Sequence, residues 1–181
     1  MSIISCSSNG KRESMKRQFE EYFESLNAHE IEKALSYISD DFTLHFTEYN
    51  FSIDKEGLVD VLGWDKGVNG KFSYEKLTIK EDSITGLFKE QNDFLKLLGI
   101  KDLRATNTYR FEFSGKIVEQ TYTPLPDQPS FQDRMQECIE WAKANRPLEL
   151  RDIYPENQML FNEETGKKWV ILLKEWKTRS G

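Results

Sequence analysis

Apolar residues recur every three or four positions in three segments near the start of the chain, a spacing typical of amphipathic helices. The first stripe comprises Met15, Phe19, Tyr22, Phe23 and Leu26. The second comprises Ile31, Ala34, Leu35 and Ile38, and the third comprises Leu58, Val61 and Leu62. The pattern therefore predicts three N-terminal helices, the last capped by Asp54 and followed by a glycine-rich, mobile loop at 63–70.

From Phe42 the hydrophobic period changes to two, which indicates strands with one buried face. Phe42, Leu44 and Phe46 share one face of the first strand, and a short helical excursion at 93–103 closes at Gly99. Further strand-like segments lie at 72–80, 83–92, 104–113 and 116–123. The last two are joined by Ser114-Gly115, which predicts a hairpin turn.

The five prolines all lie between Pro124 and Pro155. Because proline lacks a backbone N–H and fixes its φ angle, this distribution marks the exit from a proline-free sheet domain. Helical stripes follow, one around Cys138 and one from Asn162 to Trp176. We predict a flexible tail at 1–11, a sheet domain at 12–123, and a connector with a helical extension at 124–181 that packs on the same unit. Helices segregated from an antiparallel sheet make the fold class α+β.

The composition supports a folded domain and excludes some partners. Of the 181 residues, 38% are hydrophobic and 13% aromatic, enough for a substantial core. The net charge is −6 and the chain has no basic block, which excludes nucleic acid as a predicted partner. No apolar run approaches 18 residues, so no membrane span is predicted.

Cysteine and histidine are too few for a metal centre. The chain has two of each, without ligand spacing, and it lacks a glycine-rich phosphate loop, so neither a metal nor a cofactor is predicted. Ile3-Ile4-Ser5-Cys6 resembles the bacterial lipobox, although no charged segment precedes it. Two localisations therefore stay open: cytoplasmic as written, or a lipoprotein anchored through Cys6 if the chain start is truncated.

Four short segments carry a resemblance to a known family: Asn27-Ala28-His29-Glu30 at the start of helix two, Asp40-Asp41-Phe42 at the first strand, 90–100 and 113–119. In this order they resemble the nuclear transport factor 2-like superfamily, in particular its SnoaL-like branch. The resemblance covers 12–123 and implies a cone-shaped, strongly curved sheet packed on three helices, with a deep apolar pocket. Members include ketosteroid isomerases, polyketide cyclases, dehydratases and non-enzymatic modules, so the fold leaves the function open.

Enzymes of this fold commonly use a carboxyl group on the pocket wall, and two glutamates are candidates here. Glu90 continues the apolar face of its strand after Phe88, and Glu119 continues the face of Ile117. A carboxyl with apolar surroundings gains proton affinity and can act as a general acid or base. The alternative is that each glutamate ends its strand at the rim and pairs with a lysine or arginine, for which Arg104 and Arg110 are candidates.

A predicted apolar pocket would be closed by Tyr22 and by Trp64 as a lid residue, with polar contacts near the strands. The full predicted ligand-binding set is Tyr22, Trp64, Phe88, Asn92, Asn107, Tyr109 and Phe111. Three functions remain open: a domain that binds an apolar small molecule; a cyclase, isomerase or dehydratase that uses Glu90 or Glu119; and a homodimeric interaction module that associates through the exposed sheet face.

Overall fold

The computed structural model describes the backbone of residues 4–180 and the side chains of residues 10–179. Within that part of the chain, the helices are α1 (Ile4–Asn27), α2 (Ile31–Ser36), α3 (Lys55–Gly67), α4 (Asp93–Leu97), α5 (Phe131–Asn145), α6 (Pro147–Ile153) and α7 (Glu163–Ser180). The strands are β1 (Ile38–Phe46), β2 (Phe51–Asp54), β3 (Lys71–Lys80), β4 (Ser83–Gln91), β5 (Leu103–Phe111) and β6 (Ile117–Pro124). The predicted α+β class is confirmed.

The strands form one curved, unclosed sheet in the order β2-β1-β6-β5-β4-β3. Strand β1 pairs antiparallel with β2 and β6 pairs antiparallel with β5, but β1 and β6 run parallel. The sheet is therefore mixed, whereas the sequence pattern predicted antiparallel pairing throughout. The physical reason is the connection: β1 and β6 are joined through four intervening strands, so no tight turn fixes their relative direction.

Several element boundaries differ from the prediction. Helix α1 begins at Ile4 rather than at residue 12, and α2 begins at Ile31, after the Asn27 start that was expected. Strand β1 begins at Ile38, which is fully buried and pairs with Ile117 of β6. The sequence pattern placed Ile38 on the apolar stripe of the second helix, but this residue belongs to strand β1 instead. The predicted lipid anchor at Cys6 lies outside the described side chains and stays a prediction.

The glycine-rich segment after Leu62 is helical rather than a mobile loop, because α3 continues to Gly67. A Cβ atom on Gly67 would collide with the Glu163 carbonyl oxygen, and one on Gly63 would lie 3.1 Å from the Glu163 nitrogen. A Cβ atom on Gly166 of α7 would lie 3.1 Å from the Trp64 carbonyl oxygen. These glycines permit helices α3 and α7 to approach closely. A glycine-rich sequence is compatible both with such a contact and with a flexible loop, so composition alone does not distinguish them.

Residue contacts divide the chain into two compact units. Unit 1 comprises Met1–Leu58, Ser73–Phe88 and Arg104–Leu125, and unit 2 comprises Val59–Phe72, Lys89–Leu103 and Pro126–Gly181. The core of unit 2 includes Trp169, which is fully buried, and Cys138, whose thiol pKa is raised to about 12 by burial. Cys138 is therefore a buried, unreactive thiol, as its place on a helical stripe predicts.

The Ser114-Gly115 hairpin is confirmed, and its geometry demands glycine. Gly115 has a φ of +91°, and an added Cβ atom would lie 2.5 Å from the Gln18 amide. We expect Gly115→Ala to lower the free energy of unfolding by about 1–2 kcal/mol, measured by urea denaturation. The control is Gly10→Ala, which meets no atom within 4 Å in helix α1 and should be neutral or slightly stabilising. Equal midpoints for both variants would contradict the strain argument.

Candidate functional site

Three of the aromatic residues predicted to line a pocket, Tyr22, Phe88 and Tyr109, pack in unit 1 with three further aromatic rings. We call this group the ring cluster; it consists of Phe19, Tyr22, Phe23, Tyr74, Phe88 and Tyr109. Its ring centroids lie 4.8 to 6.1 Å apart, the spacing of directly packed aromatic pairs. Tyr22, Phe88 and Tyr109 are at most 6% exposed, and Phe111 is also buried. Burial, with Tyr22 nearby, raises the pKa of Tyr109 well above its usual value.

Next to the ring cluster, one face of the sheet in unit 1 carries two rows of paired residues. The first row comprises Phe51, Phe46, Tyr122 and Asn107, and the second comprises Ile53, Leu44, Gln120 and Tyr109. Residues paired directly across strands point to the same side of a sheet, so both rows lie on one surface. We call this surface the aromatic face. Tyr109 belongs to both the aromatic face and the ring cluster.

The aromatic face changes from exposed to buried along its first row. Phe51 is 55% exposed, Phe46 and Tyr122 are half-buried, and Asn107 is 5% exposed. The Phe46 ring lies 6.1 Å from the Phe51 ring and 5.7 Å from the Tyr122 ring. This end of the sheet therefore offers an accessible aromatic surface that leads to a buried polar side chain.

Two amides lie side by side at the buried end of the aromatic face. Gln120 Nε2 donates to Asn107 Oδ1 at 3.0 Å. Asn107 is a predicted ligand residue, and Gln120 was not among the candidates. Since an amide side chain has both donor and acceptor atoms, the hydrogen bond between them leaves further capacity, such as the Gln120 carbonyl oxygen, for a polar group that lies on the aromatic face.

Glu119 lies on the other face of the sheet and forms an ion pair with Arg110 at 2.8 Å. The register shifts between Arg110 and Phe111, so Ile117 pairs with Phe111 while Glu119 pairs with Arg110. The prediction that Glu119 continues the face of Ile117 is wrong, because this bulge interrupts the alternation. Of the alternative, the pairing with an arginine is confirmed for Glu119, although this residue lies near the start of β6 and does not end the strand.

Glu90 lies near the end of β4 in unit 2, where its partner is an asparagine. Asn92 Nδ2 donates to Glu90 Oε1 at 2.6 Å. Burial raises the pKa of Glu90, and the Asn92 hydrogen bond opposes part of this rise because it favours the charged carboxylate. The pKa of Asp65 in α3 is raised well above its usual value, first by burial and then by the charge of Glu90. The surroundings of these two carboxyl groups of unit 2 therefore raise their affinity for a proton.

Two other predicted site residues of unit 2 have structural roles. Trp64 is 6% exposed in helix α3, with its ring 5.4 Å from Phe94 and 5.0 Å from Phe161. The prediction of a loop lid is therefore wrong for Trp64, because the segment is helical and packed. Asn92 caps α4, since its Oδ1 accepts from the Leu95 backbone nitrogen at 2.7 Å. This bond orients the amide that contacts Glu90.

The sequence carried signals for some residues that were missed. Asp65 follows Leu58 and Leu62 at helical spacing, which places it on the buried side of α3. Phe46 continues the alternation of Phe42 and Leu44, which predicts its place on the inner face of β1. For Gln120 the sequence signal was misleading. Alternation from Ile117 predicts that Glu119 lies on the face of Ile117, whereas the bulge in β6 places Gln120 on that face.

No protein-family model matches the sequence, and comparison with curated proteins gives no significant match. Several solved structures share the fold. One is a "putative ketosteroid isomerase" from Kribbella flavida, with TM-score 0.54, 12% identity, and coverage of 66% of this chain and 83% of that one. Another is IdmH, a "putative polyketide cyclase" from Streptomyces antibioticus, with TM-score 0.52, 14% identity, and coverage of 61% and 91%.

A SnoaL-like protein of unknown function from Burkholderia thailandensis gives a TM-score of 0.50 at 13% identity, covering 63% of this chain and 97% of that one. At such identities the likeness concerns the fold alone, and it covers about two thirds of the chain. Within residues 4–180, no helix is both long and apolar enough to cross a bilayer. The fold that the sequence resemblance implied is confirmed: the chain shares the fold of solved nuclear transport factor 2-like and SnoaL-like proteins.

Proposed function

We propose that unit 1 binds a small, flat, mainly apolar molecule on the aromatic face. The observation that carries this proposal is the row of Phe51, Phe46 and Tyr122, whose rings are accessible and adjacent, ending at the buried Asn107. Large apolar side chains at a surface position are a common mark of a binding site, especially with a few placed polar groups. The neighbours named for a ketosteroid isomerase and a polyketide cyclase support this class of ligand.

The chemistry of the aromatic face defines the ligand. Ring faces at Phe46 and Tyr122 favour offset stacking with a planar ring system. The Gln120 and Asn107 amides favour one hydroxyl or carbonyl at the end of that system that lies over β5 and β6. The ring cluster is packed, so this proposal places the ligand beside it on the sheet and not among its rings.

The test uses 2-naphthol as the probe, since it has two fused rings and one hydroxyl. We expect NMR titration to shift the backbone amides of β1 and β6 around Phe46 and Tyr122. Phe46→Ala should weaken binding about fivefold or more, because an aromatic stacking partner contributes about 1 kcal/mol or more. Gln120→Leu should reduce the preference for 2-naphthol over naphthalene, because the leucine has no hydrogen-bonding atom.

The matched control is Thr121→Val, which changes a neighbouring residue on the opposite face of the same strand. It should leave the affinity for 2-naphthol unchanged. If Phe46→Ala and Thr121→Val bind 2-naphthol equally well, or if the shifted amides lie in unit 2, the aromatic face is not the binding site.

A second candidate function is proton transfer by Glu90 in unit 2. The observation in its favour is a carboxyl group with a raised pKa, held by Asn92 and influenced by a second acid, Asp65. A raised carboxyl pKa improves a general acid or base near neutral pH. If a substrate is found by screening, Glu90→Gln should abolish its turnover, and full turnover by that variant would eliminate this candidate. A homodimeric module stays a prediction, to be decided by light scattering.

A further inference from the structure

Unit 1 has a second, polar cleft that the proposed function does not use. Its volume is about 370 Å³, and it lies between helix α1, the α2–β1 junction and the β5–β6 hairpin. The lining residues are Arg17, Gln18, Glu21, Ser36, Tyr37, Ser114 and Lys116. They include two cations, one carboxylate and several neutral polar groups, with an aromatic ring only at Tyr37. The chemistry of this polar cleft therefore differs from that of the aromatic face.

The hydroxyl groups of the polar cleft already donate to protein acceptors. Tyr37 donates to Glu21 Oε2 at 3.3 Å, and Ser36 donates to the Lys33 carbonyl oxygen at 2.6 Å. Ser114 donates to the Glu112 carboxylate. These hydroxyl protons therefore already form hydrogen bonds within the protein. Hydrogen bonds to a ligand in the cleft would have to come from other donor groups.

The remaining donors are charged groups and one amide. Among the residues whose side chains the structure describes, no carboxylate forms an ion pair with Arg17 or Lys116. These two cations stand on different segments, Arg17 on α1 and Lys116 in the β5–β6 hairpin just before β6, with the Gln18 amide beside the hairpin. The cleft therefore presents N–H donors from two sides to whatever occupies it.

We propose that the polar cleft binds a small dicarboxylate, with one carboxylate at Arg17 and the other at Lys116. A planar guanidinium pairs with a carboxylate through two parallel hydrogen bonds, and an ammonium pairs with the second carboxylate as a point charge. Because the cations stand on separate elements, two oxyanions joined by a short carbon chain contact both better than one compact oxyanion does. Glu21 opposes the ligand's charge, and its hydrogen bond from Tyr37 reduces that opposition.

The experiment titrates the full chain with glutarate at constant ionic strength and follows backbone amides near Gln18, Tyr37 and Lys116 by NMR. Arg17→Gln and Lys116→Gln should each weaken glutarate binding about tenfold, the effect of losing one charged hydrogen bond. Glu21→Gln should change the affinity in the opposite direction and strengthen binding. The control Arg12→Gln removes one exposed positive charge from the same helix outside the cleft and should change the affinity less than twofold.

Inorganic phosphate is the second arm, since it carries similar charge in one compact group. Weaker binding of phosphate than of glutarate supports the dicarboxylate, and tighter binding of phosphate overturns it. The proposal also fails if glutarate shifts none of these amides, or if Arg12→Gln weakens binding as much as Arg17→Gln does. None of these outcomes depends on the aromatic face, because 2-naphthol binding is measured separately.

Discussion

Phe19→Ala is expected to lower the free energy of unfolding by about 3–5 kcal/mol, the range for truncating a buried aromatic residue. Phe19 is fully buried, and its ring lies 5.2 to 6.1 Å from four other rings of the ring cluster. Its loss removes the apolar surface that the ring buries and leaves a cavity that the neighbouring rings fill only in part. Urea denaturation followed by circular dichroism measures the change.

The matched control is Phe113→Ala, since Phe113 is fully exposed in the β5–β6 hairpin. Its truncation should change stability by about 0.5 kcal/mol or less. Benzene should then raise the melting temperature of Phe19→Ala more than that of the wild type, because an apolar cavity of this kind binds an apolar ring. A loss below about 1 kcal/mol for Phe19→Ala would mean that the cluster lines open space, and would restore the pocket predicted from the sequence.

The sequence predicted the helices and strands well where period and burial agree. Phe42 and Leu44 alternate in the sequence and are buried in β1, and Met15 and Phe19 follow a helical stripe and are buried in α1. Local chemistry also acts at Ser130, whose hydroxyl accepts from the Asp133 backbone nitrogen at the start of α5, a common role of serine at a helix N-cap. These features depend on residues that are near one another in the chain.

The candidate site was harder to predict because it depends on pairing between distant residues. The aromatic face requires Phe46 to pair with Tyr122, and Tyr122 with Asn107, in a register that alternation within one strand does not give. Glu119 lies on the face of the sheet opposite to Ile117 because β6 contains a bulge where the register shifts between Arg110 and Phe111. Trp64 was assigned to a loop because its neighbouring glycines indicated flexibility, whereas they permit close contact between helices within unit 2.

The raised pKa values of Asp65 and Glu90 should make the free energy of unfolding depend on pH, the second large effect that we expect. A carboxyl group with a higher pKa in the folded than in the unfolded chain binds its proton more tightly when folded. The contribution of these two groups to the free energy of unfolding is therefore largest below the unfolded pKa values, 3.8 for Asp65 and 4.5 for Glu90. It falls as the pH rises through the window up to the folded values, and above that window the loss is complete.

We therefore expect Asp65→Asn to stabilise the protein at pH 7 by about 1–3 kcal/mol, because the neutral amide avoids the cost that Asp65 bears there, either of taking up a proton or of holding a poorly solvated charge. Near pH 3 the gain should vanish, because both carboxyl groups are then protonated in the folded and unfolded chain. Glu90→Gln should give a smaller gain, since the Asn92 hydrogen bond already favours the charged form of Glu90. Urea denaturation at a series of pH values measures each difference from the wild type.

Comparing each variant with the wild type at the same pH removes the opposite contributions of Asp40, Glu163, Glu164 and Glu175, whose pKa values lysine or arginine partners lower. The matched control is Asp60→Asn, which replaces an exposed aspartate of the same helix and should change stability by about 0.5 kcal/mol or less. If Asp65→Asn is less stable than the wild type at pH 7, Asp65 is charged and favourably held in the folded chain. The raised pKa inferred for Asp65 would then be wrong. Proton transfer by Glu90 near neutral pH would lose the support that this neighbouring acid gives it.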